Sequence, residues 1–472
     1  MLPNKAEFNK ADVLSIFNDS DCINFADYDN CSGVSIDTRD LAAGNIFVAL
    51  VGENQDGHNR VAEAFDKGAS ACVVNRDWYE ANSESVKDKP IIIANDTLHA
   101  LAKFGNYHRN RFSIPIVAIG GANGKTTTKE ITAHLLAQKF NILKTHENFN
   151  NQLGAPLMLM QLTEEHQAAV LEIGTSEPGE IFLLANMVEP NLGLITNIGK
   201  EHLEKLINLD IVELEETALF AYLAKSGGIC LINAEDERLI KYRPVIPKFF
   251  SYGKHDEANL KSKIELDNKL SPTISFELYG ESIEVKLKTS GYTTALNSVA
   301  AASVALQFGM TLSEIKSGLE SYENTGSFAH SYGRMSVEEF GEALIINDCY
   351  NANPDSMAAA LNNLALIKCS GTKLAILGDM REMGDATEEV HNDILKSAIE
   401  KADKVYLYGD SFAKAAESNP NEKVRAFASH EELCENLLDI AQSKNDVYLV
   451  KGSRSMKMEK VVDYIKNKLS TN

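Results

Sequence analysis

Residues 118–140 read AIGGANGKTTTKEITAHLLAQKF, and this stretch limits the fold more than any other in the chain. The run IPIVAIGG that leads into it is apolar and β-branched and reads as a buried strand. TTTKEITAHLLAQKF then places Ile131, Leu135 and Leu136 on one helical face. A strand, a glycine turn and a helix start direct backbone N–H groups and a positive dipole end at an anion. Gly121 and Gly124 let the backbone come close, Lys125 reaches the outer phosphates, and the Thr126 hydroxyl suits Mg²⁺. The eight-residue form of the pattern requires glycine at position 119, where Ile119 stands, so the motif is the shorter G-x-x-G-K-T. The competing reading is a glycine-rich strand-to-helix turn with an exposed lysine. The strand before and the helix after favour the phosphate.

The rest of the chain is consistent with that start. AAVLEIG and NLGLITNIG read as buried strands, and such alternation implies a parallel sheet covered by helices. A polar, hairpin-like stretch lies near 255–290, followed by the alanine-rich helix ALNSVAAASVALQF. A second alternation begins near 343 with ALIIND, KLAILGD, KVYLYGD and DVYLVKG, each ending in a polar residue or glycine. The expected fold is α/β in three domains. A small mixed α/β domain spans 1–110, a phosphate-loop parallel-sheet domain 111–328, and a Rossmann-like α/β domain 329–472.

With 472 residues, three domains is the natural count. The net charge of −21 argues against nucleic acid and anionic membrane as partners. No apolar run is long enough to span a bilayer, and the polar start is unlike a signal peptide. Seven scattered cysteines read as reduced thiols filling core space, so a cytoplasmic location is expected.

Several strand ends carry polar groups, where ligands gather in open α/β sheets. Glu172 closes AAVLE and suits a magnesium beside phosphates, or is simply a polar residue at a strand exit. THENFNNQLGAP gathers Asn148, Asn150 and Asn151, residues that also favour turns. His202 follows TNIGKE, and Asp348 ends ALIIND before an asparagine-rich turn. Together these loops predict one nucleotide-dependent active site.

GANGKTTTKE, NFNNQLGAP, LEIGTSEPGEI, TNIGKEHLE, NDCYNANPDSM, LGDMREMG with His391, and VKGSRSMKME resemble the Mur ligases, in order and over nearly the whole chain. VSIDTRDLAAGNIFVALVGENQDGHNRVAEAFDKGA and YNANPDS are similar to the branch that joins D-alanyl-D-alanine to UDP-N-acetylmuramoyl-tripeptide. The resemblance implies ATP and Mg²⁺ as cofactors and a monomeric, ATP-dependent ligase. It implies that the tripeptide carboxylate becomes an acyl phosphate, which the dipeptide amine then attacks. Lys125, Glu172 and His202 match the catalytic positions. Gly121, Ala122, Asn123, Gly124, Lys125, Thr126 and Thr127 match the phosphate loop, Asn297 the adenine contact, and Arg334 and Asp348 the ribose and phosphate contacts. Thr126, Glu172 and His202 match metal-holding positions. Asp37, Thr38 and Arg39, with Asp56, Gly57 and His58, match the uridine side, and Asn148 and Asn151 belong with the substrate residues. Tyr350, Asn351 and Asn353 match the substrate-facing loop of the last domain, with Arg454 near it.

The chain departs from the family at Gly120, where threonine is usual, and at Thr293 and Thr294. It also departs at Glu216. Mur ligases commonly carry there a lysine whose carbamate binds a second magnesium, and this chain has no lysine between Lys205 and Lys225. Glu216 offers a carboxylate without modification, or lies with Glu213 and Glu215 on a solvated acidic face. Two rival readings accompany the resemblance: a folylpolyglutamate synthase-like ligase, and a paralogue that binds nucleotide without catalysis.

Overall fold

The computed structural model describes residues 4, 6–52, 55–323, 333–340, 343–437 and 445–471. The expected boundary at 328/329 lies outside the described residues. Contacts divide the chain into two compact units. Residues 1–118, 140–174 and 180–191 form the first, and residues 119–139, 175–179 and 192–472 the second.

In the first unit a five-stranded sheet has the order Cys22–Ile23, Ile91–Ala94, Ala71–Asn75, Ile46–Val48, Val34–Ser35. Its pairs are parallel except the first. Alternate residues of these strands feed two cores, as a period of two demands. Ile46, Val48, Ala71, Val73 and Ile92 face Phe8, Phe17 and Phe104, whereas Phe47, Cys72, Val74 and Ile91 face Val61 and Val86. The helix Thr97–Arg109 starts on Asp96, whose carboxylate accepts from Leu98 N at 2.8 Å. It crosses the short helix Gly154–Leu159 closely, because a Cβ at Gly105 would lie 2.7 Å from Pro156 Cα. A parallel pair, Ile142–Lys144 with Ala168–Glu172, delivers Glu172 at its carboxyl end.

The second unit holds the strands Leu192–Ile195, Ile229–Asn233, Phe249–Gly253 and Leu260–Leu266 in parallel. The antiparallel strands Pro272–Leu278 and Glu281–Lys286 extend them, the hairpin expected near 255–290. The helix Tyr292–Gln307, buried along its alanines, packs on the helix Lys125–Leu136. Ile131, Leu135 and Leu136 are fully buried, as their shared face predicts.

A six-stranded sheet follows, in the order Ser336–Phe340, Ala343–Asp348, Val447–Lys451, Lys373–Gly378, Lys404–Tyr408, Val424–Phe427. Only its first pair is antiparallel. Again successive residues alternate between two cores: Leu344, Ile346, Ala375 and Leu377 face one side, and Ala343, Ile345, Leu374 and Ile376 the other. These parallel-rich sheets with helices form the α/β architecture expected. All seven cysteine thiols are free, five of them buried. Among the described residues no helix is long and apolar enough to cross a membrane.

Candidate active site

The strand Ile116–Gly120 is buried throughout and runs into a turn that only glycine fits. Gly121 has φ +111°, and a Cβ there would lie 2.3 Å from Thr196 Oγ1. Gly124 has φ +86°, and its Cβ would lie 2.5 Å from Asn297 Oδ1. Asn297, expected near adenine, is therefore packed under the second glycine. Asn197 frames the loop: its carbonyl accepts from Ala122 N at 2.9 Å, its Oδ1 accepts from Asn123 N at 3.1 Å, and its Nδ2 donates to Asn123 O at 2.8 Å. Lys125, Thr126 and Thr127 then open the helix Lys125–Leu136 and are half-buried. Gly124 at the N-cap offers no side chain to cap this helix, and the free N–H groups of a helix first turn suit a phosphate.

Three carboxylates stand out because each keeps a buried oxygen without a hydrogen-bond partner. In the second unit, Glu216 is 0% exposed, and its Oε2 accepts from Gly121 N at 2.7 Å. Its Oε1 has no partner. Burial first, and then the charge of Glu201, push the Glu216 carboxyl up to about 8. Glu201 is buried, with Oε2 3.4 Å from Lys125 Nζ and Oε1 without a partner. Lys125 Nζ also donates to Gly121 O. In the first unit, Glu172 Oε1 accepts from Asn150 Nδ2 at 2.8 Å, while its buried Oε2 has no partner.

The solvated acidic face offered for residues 213–216 is corrected by these contacts. Glu213 and Glu215 are both 6% exposed, and each is held by its own partners. Glu213 accepts from Tyr242 Oη at 2.7 Å and pairs with Arg238 at 2.8 Å and Lys241 at 2.5 Å. Glu215 accepts from Gly179 N at 2.6 Å and Thr175 Oγ1 at 3.2 Å. Only Glu216 is aimed at the phosphate loop. Helical spacing carries the signal, since Leu219, Phe220 and Leu223 follow Glu216 at i+3, i+4 and i+7 and are all buried.

His202 sits in left-handed backbone at φ +48°, with Nδ1 2.5 Å from Glu382 Oε2. A carboxylate on Nδ1 orients the ring so that Nε2 can serve a metal. Other loops of this unit are tied by their own contacts. Asn353, the N-cap of the helix Pro354–Leu366, donates through Nδ2 to Asn123 Oδ1 at 3.0 Å. Asp355 Oδ2 accepts from Lys200 N at 2.7 Å. Asp348 accepts from Met335 N at 3.0 Å and pairs with the buried Lys451 at 2.6 Å. Lys451 also donates to Asn351 O at 2.9 Å, which ties the asparagine-rich turn to the strand beside it. The Arg334 guanidinium stacks 3.5 Å from the centre of the Tyr350 ring. Arg454 pairs with Glu459 at 3.0 Å. His391 is internal: its Nε2 accepts from Met380 N at 3.0 Å and its Nδ1 donates to Thr387 O at 2.6 Å.

The remaining expected substrate residues lie in the first unit. Arg39 is exposed and bonds Asp37 at 2.5 Å, which holds the Asp37 carboxyl down at about 2. Thr38 is buried, and its carbonyl accepts from Lys67 Nζ at 2.8 Å. His58 is buried, with Nδ1 2.6 Å from Asp56 Oδ1 and Nε2 accepting from Asn75 N at 2.9 Å. Gly57 admits no side chain, because a Cβ would lie 2.7 Å from Leu50 N. Asn151 accepts from Leu153 N and Gly154 N, and Asn148 is exposed. Sequence reasoning assigned no role to Asn150, Asn197, Glu201, Glu382 or Lys451. All of them stand within three residues of an expected site residue or in a quoted motif loop.

Among the described residues no three His, Cys, Asp or Glu side chains converge as a metal centre. Mg²⁺ prefers oxygen ligands, carboxylates and phosphates among them. The buried, unpartnered oxygens of Glu216 and Glu201 are hard oxygen donors of the type it prefers.

Family models describe three parts of the chain: "Mur ligase family, catalytic domain" at 30–109, "Mur ligase middle domain" at 119–305, and "Mur ligase, glutamate ligase domain" at 333–454. UDP-N-acetylmuramoyl-tripeptide–D-alanyl-D-alanine ligase of Bacillus subtilis is 31% identical, over 93% of this chain and 94% of its own. Its Escherichia coli counterpart is 33% identical, over 91% and 92%. Among solved structures, MurF from Acinetobacter baumannii superposes with a TM-score of 0.86 at 27% identity, covering 98% of this chain and all of that one. MurF from Thermotoga maritima, in complex with ADP, gives 0.81 at 27% identity, over 93% and 98%.

Proposed function

The chain belongs to the Mur ligase family, and we propose that it is the ATP-dependent ligase that joins D-alanyl-D-alanine to UDP-N-acetylmuramoyl-tripeptide in peptidoglycan precursor synthesis. The observation that carries this reading is the uncapped helix start behind Gly124, with Lys125 and two buried carboxylates beside it. Carboxylate and amine do not condense readily in water. Phosphorylation of the tripeptide carboxylate provides a leaving group, and the dipeptide amine then displaces phosphate.

Lys125 and the first-turn N–H groups neutralise the transferring phosphoryl group in this reading. Mg²⁺, when bound, neutralises phosphate charge and polarises the phosphoryl oxygens. By the family resemblance Thr126, Glu172, His202 and Glu216 would hold it; Asn150 fixes Glu172 and Glu382 orients His202. Glu216 supplies its carboxylate without carbamylation. Asp37, Thr38 and Arg39 bind the uridine nucleotide, and the hydrogen-bonded His58 shapes that loop. Asn297, Arg334 and Asp348 serve the nucleotide, and Asn148, Asn151, Tyr350, Asn351, Asn353 and Arg454 the peptide substrates. Residues 1–110, 111–328 and 329–472 divide the labour as uridine, ATP and dipeptide domains of a cytoplasmic monomer that serves cell-wall growth and division.

The test is phosphate release from ATP with UDP-N-acetylmuramoyl-tripeptide. Release that depends on D-alanyl-D-alanine is expected. ATP binding without turnover on these substrates would favour a non-catalytic paralogue, and turnover on folate with glutamate the other ligase.

A further inference from the structure

Glu201 is a carboxylate that the family resemblance does not assign. It is 5% exposed, and its Oε2 lies 3.4 Å from Lys125 Nζ. Its Oε1 is buried without a hydrogen-bond partner, and so is Oε1 of the fully buried Glu216. The Gly121 peptide joins the two: its N–H donates to Glu216 and its carbonyl accepts from Lys125, which reaches on to Glu201. Two carboxylates therefore lie beside one glycine of the loop, and Lys125 contacts Glu201 directly. Buried polar groups are ordinarily hydrogen-bonded or coordinate a metal, and each of these carboxyl groups carries an oxygen with nothing to accept from.

We propose that Oε1 of Glu201 and Oε1 of Glu216 together hold one divalent cation beside the phosphate loop, which makes Glu201 a further ligand of the metal site. The inference rests on the reading of Glu216 given above. It explains why Glu201 is buried directly before His202 instead of facing solvent, as a glutamate in a loop ordinarily does. Glu201 would also keep Lys125 turned into the loop, so that cation and lysine are presented to the phosphates from one side.

The experiment titrates the full chain with Mn²⁺ alone and counts free ion by electron paramagnetic resonance. Glu201→Gln and Glu216→Gln are each expected to weaken Mn²⁺ binding about tenfold or more. Glu213→Gln, whose carboxylate is taken up by Arg238, Lys241 and Tyr242, is expected to leave it unchanged. Glu201→Asp retains a carboxylate and is expected to bind Mn²⁺ more tightly than Glu201→Gln, which separates lost ligation from lost folding. Weakening by Glu216→Gln alone overturns the role of Glu201 and leaves that of Glu216 standing. Unchanged affinity in both variants, or no measurable Mn²⁺ binding by the unaltered chain, overturns both. Equal weakening by Glu201→Asp and Glu201→Gln overturns the assignment of Glu201 as a ligand.

Discussion

The phosphate loop and the uridine-side loops of the first unit hold similar side chains in opposite conditions. Around Lys125, Glu201 and Glu216 are buried with oxygens that accept nothing. In the first unit, Asp37 is closed onto Arg39, and both ring nitrogens of His58 are taken up by Asp56 and Asn75. Buried polar groups without partners are costly, and a fold keeps them where a ligand or reaction repays the cost. Groups satisfied within the chain build shape instead. The comparison therefore predicts that substitutions near Lys125 remove activity with little loss of stability. Substitutions of the self-satisfied groups should change binding or stability and leave the chemical step alone.

The largest expected effect is at Lys125. Lys125→Ala should lower ligation a hundredfold or more, since losing one charge-stabilising donor costs on the order of 3 kcal/mol. The thermal midpoint should barely move. Near-normal turnover would remove this loop from the chemistry. Glu216→Gln should come next, lowering turnover and raising the magnesium requirement, while Glu213→Gln does neither. Because Glu216 is a carboxylate as encoded, turnover should be equal in bicarbonate-depleted and bicarbonate-supplemented buffer. A bicarbonate requirement would show that a carbamate is used elsewhere in the chain.

Arg39→Ala probes the other side of the comparison. The exposed guanidinium is free to leave Asp37 for a diphosphate, with which arginine pairs well. The Michaelis constant for the uridine substrate should rise about tenfold, with that for ATP and kcat unchanged. An unchanged constant would leave Arg39 as the partner of Asp37 and nothing more.

Much of this was legible in the residues because phosphate chemistry imposes a local pattern. The strand, the two glycines, Lys125 and the helix are contiguous, so the loop could be read whole. Glu172 and Asp348 announced themselves by ending apolar runs. Glu201 and Lys451 did not, because their partners, Lys125 and Asp348, lie 76 and 103 residues away in the chain. Burial of a charged residue is set by tertiary packing, which composition hides. The run VELEET looks solvated by charge alone, yet its spacing against Leu219, Phe220 and Leu223 already turned Glu216 inward. His58 and His391 look like chemistry in sequence, and only their partners show that each is internal.

His391 gives the smallest and most specific prediction. It is fully buried, accepts from Met380 N through Nε2, and donates from Nδ1 to Thr387 O. Burial depresses its pKa below the ordinary imidazole value of 6.5, despite Asp379 at 3.8 Å, and the charge of Arg381 acts the same way as burial. The neutral form is thus the one the fold prefers. Above that ordinary value the folded and unfolded chains are both neutral here, and the full contribution is present. As pH falls below it, the unfolded chain gains a proton that the folded chain resists, so stability is lost until the folded pKa is passed. His391→Gln removes this titration and at least one hydrogen bond, a loss of about 1 kcal/mol at every pH. The unaltered chain should therefore lead at pH 8, and its lead should shrink as pH falls toward 5. Urea midpoints at a series of pH values measure that lead. A lead that is constant, or that grows on acidification, would mean that His391 carries a proton in the fold, and the group would then belong with the charged residues of the site and not with its frame.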